Sequence, residues 1–435
     1  METSPRVSHL ACPVLVLTVF SLVACAGSSR TNTSGSDTLP SAGIERVASA
    51  QPLTITGFGT PIANPDATGS DPLAQIPACP ADISTPLFGT IPIDPDDFIA
   101  FRPLGFMSPP IHIFPAKHSA FSMTPLGSEP VAKPVRAPSP AWVVEIWEIS
   151  ISTGGANYQV FLYPCREVRL YFGHIVSLSE RLMGGLRESQ PTCASTVEGT
   201  VTFTRCRHED LSIALESGEQ FGMGPDTAGV DFGLIDFRRA PAEFIVPEHY
   251  DYFYLYYASP LDYFAPEARS VLASKTGSVF GDKSRTAEPI GGTYMQDIPG
   301  TAQGNWFPPG TYLRDMPDVS PLLALAHDYV DPTIPLFGIG TSIQGVNPGL
   351  YSFQIEPQGL INRDFSEVRP DGRTYCFENF LQGRTAGGMP LGNLSGILLL
   401  TMPSDTTLKI ELATGTPCQA NADWTFSEDA AAFER

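Results

Sequence analysis

Charge is scarce in this chain: 17% of its 435 residues are Asp, Glu, Lys or Arg, against about 25% in ordinary soluble domains. Cations are scarcer still, 26 Lys and Arg against 46 Asp and Glu, for a formal charge of −20. That balance excludes a nucleic-acid partner, because a polyanion is repelled and no counterion release repays the contact. Low charge together with 42 Pro and 39 Gly leaves little room for long amphipathic helices. It favours short strands joined by tight turns.

Several chemical signatures are missing as well. There is no CxxC pair, so zinc ribbons and thioredoxin-type redox sites are disfavoured. There is no Gly-x-Ser-x-Gly elbow, no HExxH helix and no glycine-rich phosphate loop. Gly392, Asn393, Leu394, Ser395 and Gly396 have the wrong spacing for a nucleophile elbow and read as a turn before a strand. Asp94, Asp96 and Asp97 lack the glycine and distal glutamate of a calcium loop.

What is present begins with Arg6, an apolar run over 14–24 and the tetrad Leu22, Val23, Ala24, Cys25. This order predicts a lipoprotein signal peptide over 1–24 and a diacylglyceryl group on Cys25. The run is too short to span a bilayer, which takes about 20 residues. Residues 25–76 open with a Ser/Thr/Gly tract and are expected to form a flexible tether. The membrane is thus one expected partner, reached through acyl chains that together give lasting attachment. The expected location is extracytoplasmic and membrane-anchored, on the outer membrane if there are two, since no Asp follows Cys25.

An exported chain meets an oxidising compartment, where disulfides are the default. Cys12 leaves with the signal and Cys25 carries lipid, so Cys79, Cys165, Cys193, Cys206, Cys376 and Cys418 remain for pairing. If a domain boundary falls near 285 and bridges stay within domains, Cys376 pairs with Cys418, and the first four keep three connectivities open. Among these Cys193 with Cys206 is favoured, a short closure worth about 3 kcal/mol in the chain-entropy picture.

Strand-like segments separated by turn residues run from Ala141: WVVEIWEISIS, NYQVFLYP, VRLYFGHIVSLS, VTFTRC, LSIAL and VDFGLIDF. The aromatic run HYDYFYLYYA over 249–258 reads as a core strand rather than a membrane belt. Small and charged residues over 274–288 suggest a linker. Beyond it, LYSFQIEP, GILLLTMP and TLKIELATG are strand candidates, while PLLALAHDY and the terminal SEDAAAFER are helix candidates. The expected fold is mainly β, with one sheet domain over 77–285 and a second β-rich domain over 286–435.

Five elements within 77–285 stand in the order of a known motif set. They are His118 to Ser122 (HSAFS), Pro134 to Pro138 (PVRAP), Tyr171 to His174 (YFGH), Glu216 to Gly224 (ESGEQFGMG) and Val230 to Asp236 (VDFGLID). In that order they resemble the lysostaphin or LytM-type zinc endopeptidases, in a degenerate form. The resemblance implies a LytM-like open sheet of hairpins. It also implies that the three metal-ligand positions fall on His118, Ser122 and Gly233, with His174 and Asp231 at the places of the assisting histidines. Serine is a poor zinc ligand and glycine has no side chain, so no catalytic residue, metal or other cofactor is expected, and His118, His174 and Asp231 are remnants. The alternative is a rebuilt site in which His118, His174 and Asp231 hold zinc or another divalent ion. His112 reads as a packed loop residue and His208 as part of a solvated turn.

The segment from Gly291 resembles a companion unit of the same degenerate peptidase-like lipoproteins. There Gln303, Asn305 and Trp306 are candidates for a ligand platform that stacks on sugar or peptide, and the competing reading is a core Trp beside a Gly-rich turn. His327 and Asp328, being adjacent, are given no chemistry. The leading expectation is a cell-envelope lipoprotein whose non-catalytic endopeptidase-like domain binds cell-wall peptide, glycan or a partner protein of the envelope. A peptidoglycan endopeptidase with a rebuilt metal site and a surface scaffold are the two alternatives.

Overall fold

The computed structural model describes residues 72–123, 131–152, 156–198, 201–225, 229–313, 321–415, 417–419 and 424–435. The expected signal peptide, the lipidation site Cys25 and nearly all of the tether lie outside the described residues. Among the described residues, no helix is long and apolar enough to cross a membrane.

The chain is mainly β. Strands β1 (Ala100–Arg102), β2 (Ser119–Ser122), β3 (Pro134–Arg136), β4 (Ala141–Ile151), β5 (Ala156–Cys165), β6 (Val168–Ile175) and β7 (Ser177–Leu178) lead into helix α1 (Glu180–Glu188). Then come β8 (Thr192–Glu198), β9 (Val201–His208), β10 (Ile213–Leu215), β11 (Gln220–Met223), β12 (Gly229–Asp236) and helix α2 (Pro266–Ser274). The remainder holds β13 (Gly304–Trp306), β14 (Leu323–His327), β15 (Pro335–Ile339), β16 (Gly349–Ser352), β17 (Thr374–Phe377), β18 (Ile397–Ser404), β19 (Thr407–Ala413) and β20 (Ala431–Glu434).

One large antiparallel sheet runs in the order β1, β2, β12, β6, β5, β4, β9, β8, with β10 paired to β4. A small sheet β3, β11, β7 carries the PVRAP and ESGEQFGMG segments. Two further four-stranded sheets, β13 to β16 and β17 to β20, are meanders of consecutive strands. In β12 the residues alternate between two faces. Val230, Phe232 and Leu234 enter the main core, where Phe232 stacks on Phe172 at 4.6 Å between centroids. Asp231 and Gly233 consequently lie on the opposite face, and that alternation builds the site.

A second core centres on Trp306, Tyr351, Phe365 and Phe377. A third apolar cluster draws on both halves of the sequence, joining Leu104, Ile113 and Phe114 to Phe307, Leu322 and Leu336. The segment expected as a linker is held on both sides. Lys275 Nζ donates to the Phe98 carbonyl at 3.0 Å, and buried Arg285 donates to the Tyr329 carbonyl at 2.7 Å. Its polar side chains find backbone acceptors here, which is why small and charged residues do not make this stretch loose.

Among the described residues three disulfides form: Cys79 with Cys165, Cys193 with Cys206 and Cys376 with Cys418. Cys193 and Cys206 are directly opposite on β8 and β9. Where the chain differs from local expectation, tertiary pairing decides. PLLALAHDY supplies strand β14 between β13 and β15 rather than a helix, and SEDAAAFER supplies edge strand β20. Good helix formers are outweighed there by the ladders on offer. Conversely, HYDYFYLYYA makes a 3-10 turn over Tyr252–Tyr256 instead of a strand, because Asp251 caps it by accepting the Tyr254 N–H at 2.9 Å.

Candidate functional site

Three strands bring His118, Asp231 and His174 together on the face away from the main core. Asp231 stands opposite Ala120 of β2 on one side and Gly173 of β6 on the other. These small neighbours leave room for the carboxylate, since a Cβ on Gly173 would stand 3.0 Å from Asp231 Oδ2. The carboxylate lies between two imidazoles, with Oδ1 3.6 Å from His118 Nδ1 and Oδ2 3.3 Å from His174 Nε2. His174 sits near the end of β6 with a φ of 60°, a left-handed backbone unusual for a residue with a side chain. Its other ring nitrogen is 3.2 Å from the Asn157 amide.

The two imidazoles differ in charge preference. Burial alone would raise the Asp231 carboxyl, but His118 and His174 beside it hold it well below the usual range. His174, whose side chain is 46% exposed, is raised by the Asp231 charge and hydrogen bond. His118 is buried, and burial lowers it despite the pull of Asp231. A charged His174 with Asp231 and a neutral His118 is the arrangement these shifts favour.

His112 joins this cluster from the turn where Ser108 and His112 pair. Its ring centroid is 5.3 Å from that of His118, and Phe106 packs edge-on against both. Burial, with His118 next, pushes His112 down to about 3. Arg102 of β1 covers Phe106 at 4.4 Å, closing the far side.

The two other positions that the resemblance makes metal ligands offer nothing to an ion. Ser122 is buried on β2, and its Oγ has no hydrogen-bond partner among the described residues. Gly233 is covered by Tyr171, its partner on β6, so closely that a Cβ there would stand 1.9 Å from Tyr171 Cε1. Among the described residues no group of three or more His, Cys, Asp or Glu is arranged to hold a metal ion. Ser122 and Gly233, at positions that the resemblance makes ligands, supply no ordinary zinc donor, whereas His118, His174 and Asp231 meet side by side with the carboxylate between the two rings.

The platform expected at Gln303, Asn305 and Trp306 is not a surface. Trp306 is fully buried, donates from Nε1 to the Ala302 carbonyl at 2.8 Å and lies under the Arg435 guanidinium at 4.2 Å. Asn305 is spent inside, its amide on the Tyr250 hydroxyl at 3.2 Å, and Gln303 donates to the Gln296 carbonyl at 3.0 Å. The core reading of Trp306 therefore holds, and a fully buried indole cannot stack on a ligand. His208 is likewise no solvated turn residue: it is buried at the end of β9, with Nδ1 2.6 Å from Ser189 Oγ.

No family model matches this chain, and no characterised protein and no solved structure matches it either. Sequence reasoning did not find Tyr171 as the plug over Gly233, nor Arg102, nor the pairing of His327 Nε2 with Asp364 Oδ2 at 3.0 Å. Only the first carried a local signal, as the opening residue of the YFGH segment. It also missed Lys117, next to His118, which borders a cavity of about 370 Å³.

Proposed function

We propose that this chain is a cell-envelope lipoprotein, held to a membrane through Cys25, whose LytM-like sheet binds cell-wall peptide, glycan or a partner protein without cutting it. The observation that carries this reading is Tyr171 lying over Gly233 while Asp231 is shared by His118 and His174. Hydrolysis in a zinc peptidase needs three protein ligands and an open position at which bound water is activated. Here one ligand position is filled by an aromatic ring and another by a buried serine, while the imidazole and carboxylate remnants satisfy one another. The cavity beside His118 supports a binding role, since it falls in the size range of about 300–1,000 Å³ usual for ligand sites.

Co-sedimentation of the detergent-solubilised full chain with purified peptidoglycan sacculi tests the reading. Saturable binding without release of peptide fragments, with or without added zinc, is the expected result. Fragment release that disappears in His174→Ala would establish the hydrolase instead, and absence of saturable binding would exclude the wall-binding form and leave a partner protein or a scaffold. Labelled palmitate incorporated by the cell and lost in Cys25→Ala would support the anchor independently.

A further inference from the structure

Lys117 immediately precedes His118, yet it leads away from the Asp231 cluster. Its ammonium lies over the rings of Tyr254 and Tyr257, at 4.6 and 4.9 Å from their centroids. Among the described residues no carboxylate oxygen comes within ion-pairing distance of it and no acceptor hydrogen-bonds to it. Asp251 is the nearest acidic influence, but its Oδ1 already accepts the Tyr254 N–H at 2.9 Å. Lys117 is partly buried.

The space in front of Lys117 is the cavity of about 370 Å³. Ile111, Ile113, Phe114 and Leu322 give it apolar walls, and His112, His118 and the Asp251 carboxylate line it as well. A partly buried ammonium with no carboxylate in direct contact gains from a counter-charge placed against it. Aromatic faces alone contribute about 0.5–2 kcal/mol.

We propose that Lys117 makes this cavity a binding site for a carboxylate carried on a compact apolar group. The ligand's carboxylate pairs with the ammonium, its apolar body fills the space between Ile111, Phe114 and Leu322, and His112 offers a ring nitrogen to the second carboxylate oxygen. Free branched-chain acids and the C-terminal residue of a peptide both have this chemistry. Capture by Lys117 does not depend on binding to the wall, so it stands or falls separately from sacculus co-sedimentation.

Calorimetric titration of the detergent-solubilised full chain with N-acetyl-leucine and with its amide tests the proposal. The two differ only in the charged group, so the acid is expected to bind at least tenfold more tightly. Equal affinity, or no binding by either, would overturn it, and this arm requires no variant. Lys117→Met, checked for an unchanged melting profile, is expected to abolish the preference for the acid, and a preference that survives in a folded variant also overturns it. Comparing 4-methylpentanoate with Gly-Gly-Leu identifies the source: tighter binding of the first marks a free-acid site, of the second a peptide C-terminus.

Discussion

Tyr171 of β6 occupies the space that a side chain at residue 233 of β12 would need, so the ring and the glycine are a matched pair. A side chain introduced at this position by Gly233→His therefore collides with Tyr171. The variant is expected to lose about 1–3 kcal/mol of stability, the cost of overpacking a close-packed region. Thermal melts would show a lowered transition, and the metal content after dialysis would remain unchanged.

His112 gives the fold a dependence on acid. Its pKa of about 3 lies below the ordinary 6.5, so the unfolded chain takes up the proton first and stability falls as pH drops below about 6.5. The slope is on the order of 1 kcal/mol per pH unit. Urea melts between about pH 6.5 and 4 are expected to show a flatter loss of stability in His112→Asn.

Asp231 and His174 respond with signs opposite to each other. The raised His174 contributes stability that is full below its ordinary pKa and lost as pH rises through its folded value. The lowered Asp231 contributes stability present above the ordinary carboxylate value and lost as pH falls through its folded one. In Asp231→Asn the His174 titration, followed by NMR, is expected to move down toward or below 6.5, the ordinary value. An unmoved His174 would show that Asp231 does not set its charge.

Replacing both cysteines of a pair by alanine should cost most where the bridge closes the longer loop. Cys193 and Cys206 are 13 residues apart and Cys376 and Cys418 are 42 apart. Chain entropy gives about 3 and about 4 kcal/mol respectively. Because Cys193 is exposed and Cys376 is fully buried, mild reductant should open the first pair before the second, as read by alkylation and peptide mapping.

Trp306→Ala removes a fully buried indole, its hydrogen bond to Ala302 and its contact with Arg435. A loss of about 3–5 kcal/mol is expected. Trp306→Phe keeps most of the packing and should leave sacculus binding unchanged, whereas a platform residue would show weakened binding.

The β class was readable from the sequence because strand alternation is local. The segments WVVEIWEISIS, NYQVFLYP and VDFGLIDF became β4, β5 and β12. The candidates His118, His174 and Asp231 came from the motif resemblance alone, and they meet where β2, β12 and β6 lie side by side. Local propensity misled where an unpaired sheet edge or a cap prevailed, as in β14, β20 and the turn at Tyr252–Tyr256.

Composition and periodicity by themselves determined a low-charge, strand-rich chain with an even set of cysteines available for pairing. Only the tertiary structure decided that Tyr171 covers Gly233, that Trp306 is core, and that Lys117 and Asp251 border one cavity. The reason is range: alternation is set by a residue's immediate neighbours, whereas each of these three depends on strands or turns distant in sequence meeting in one register.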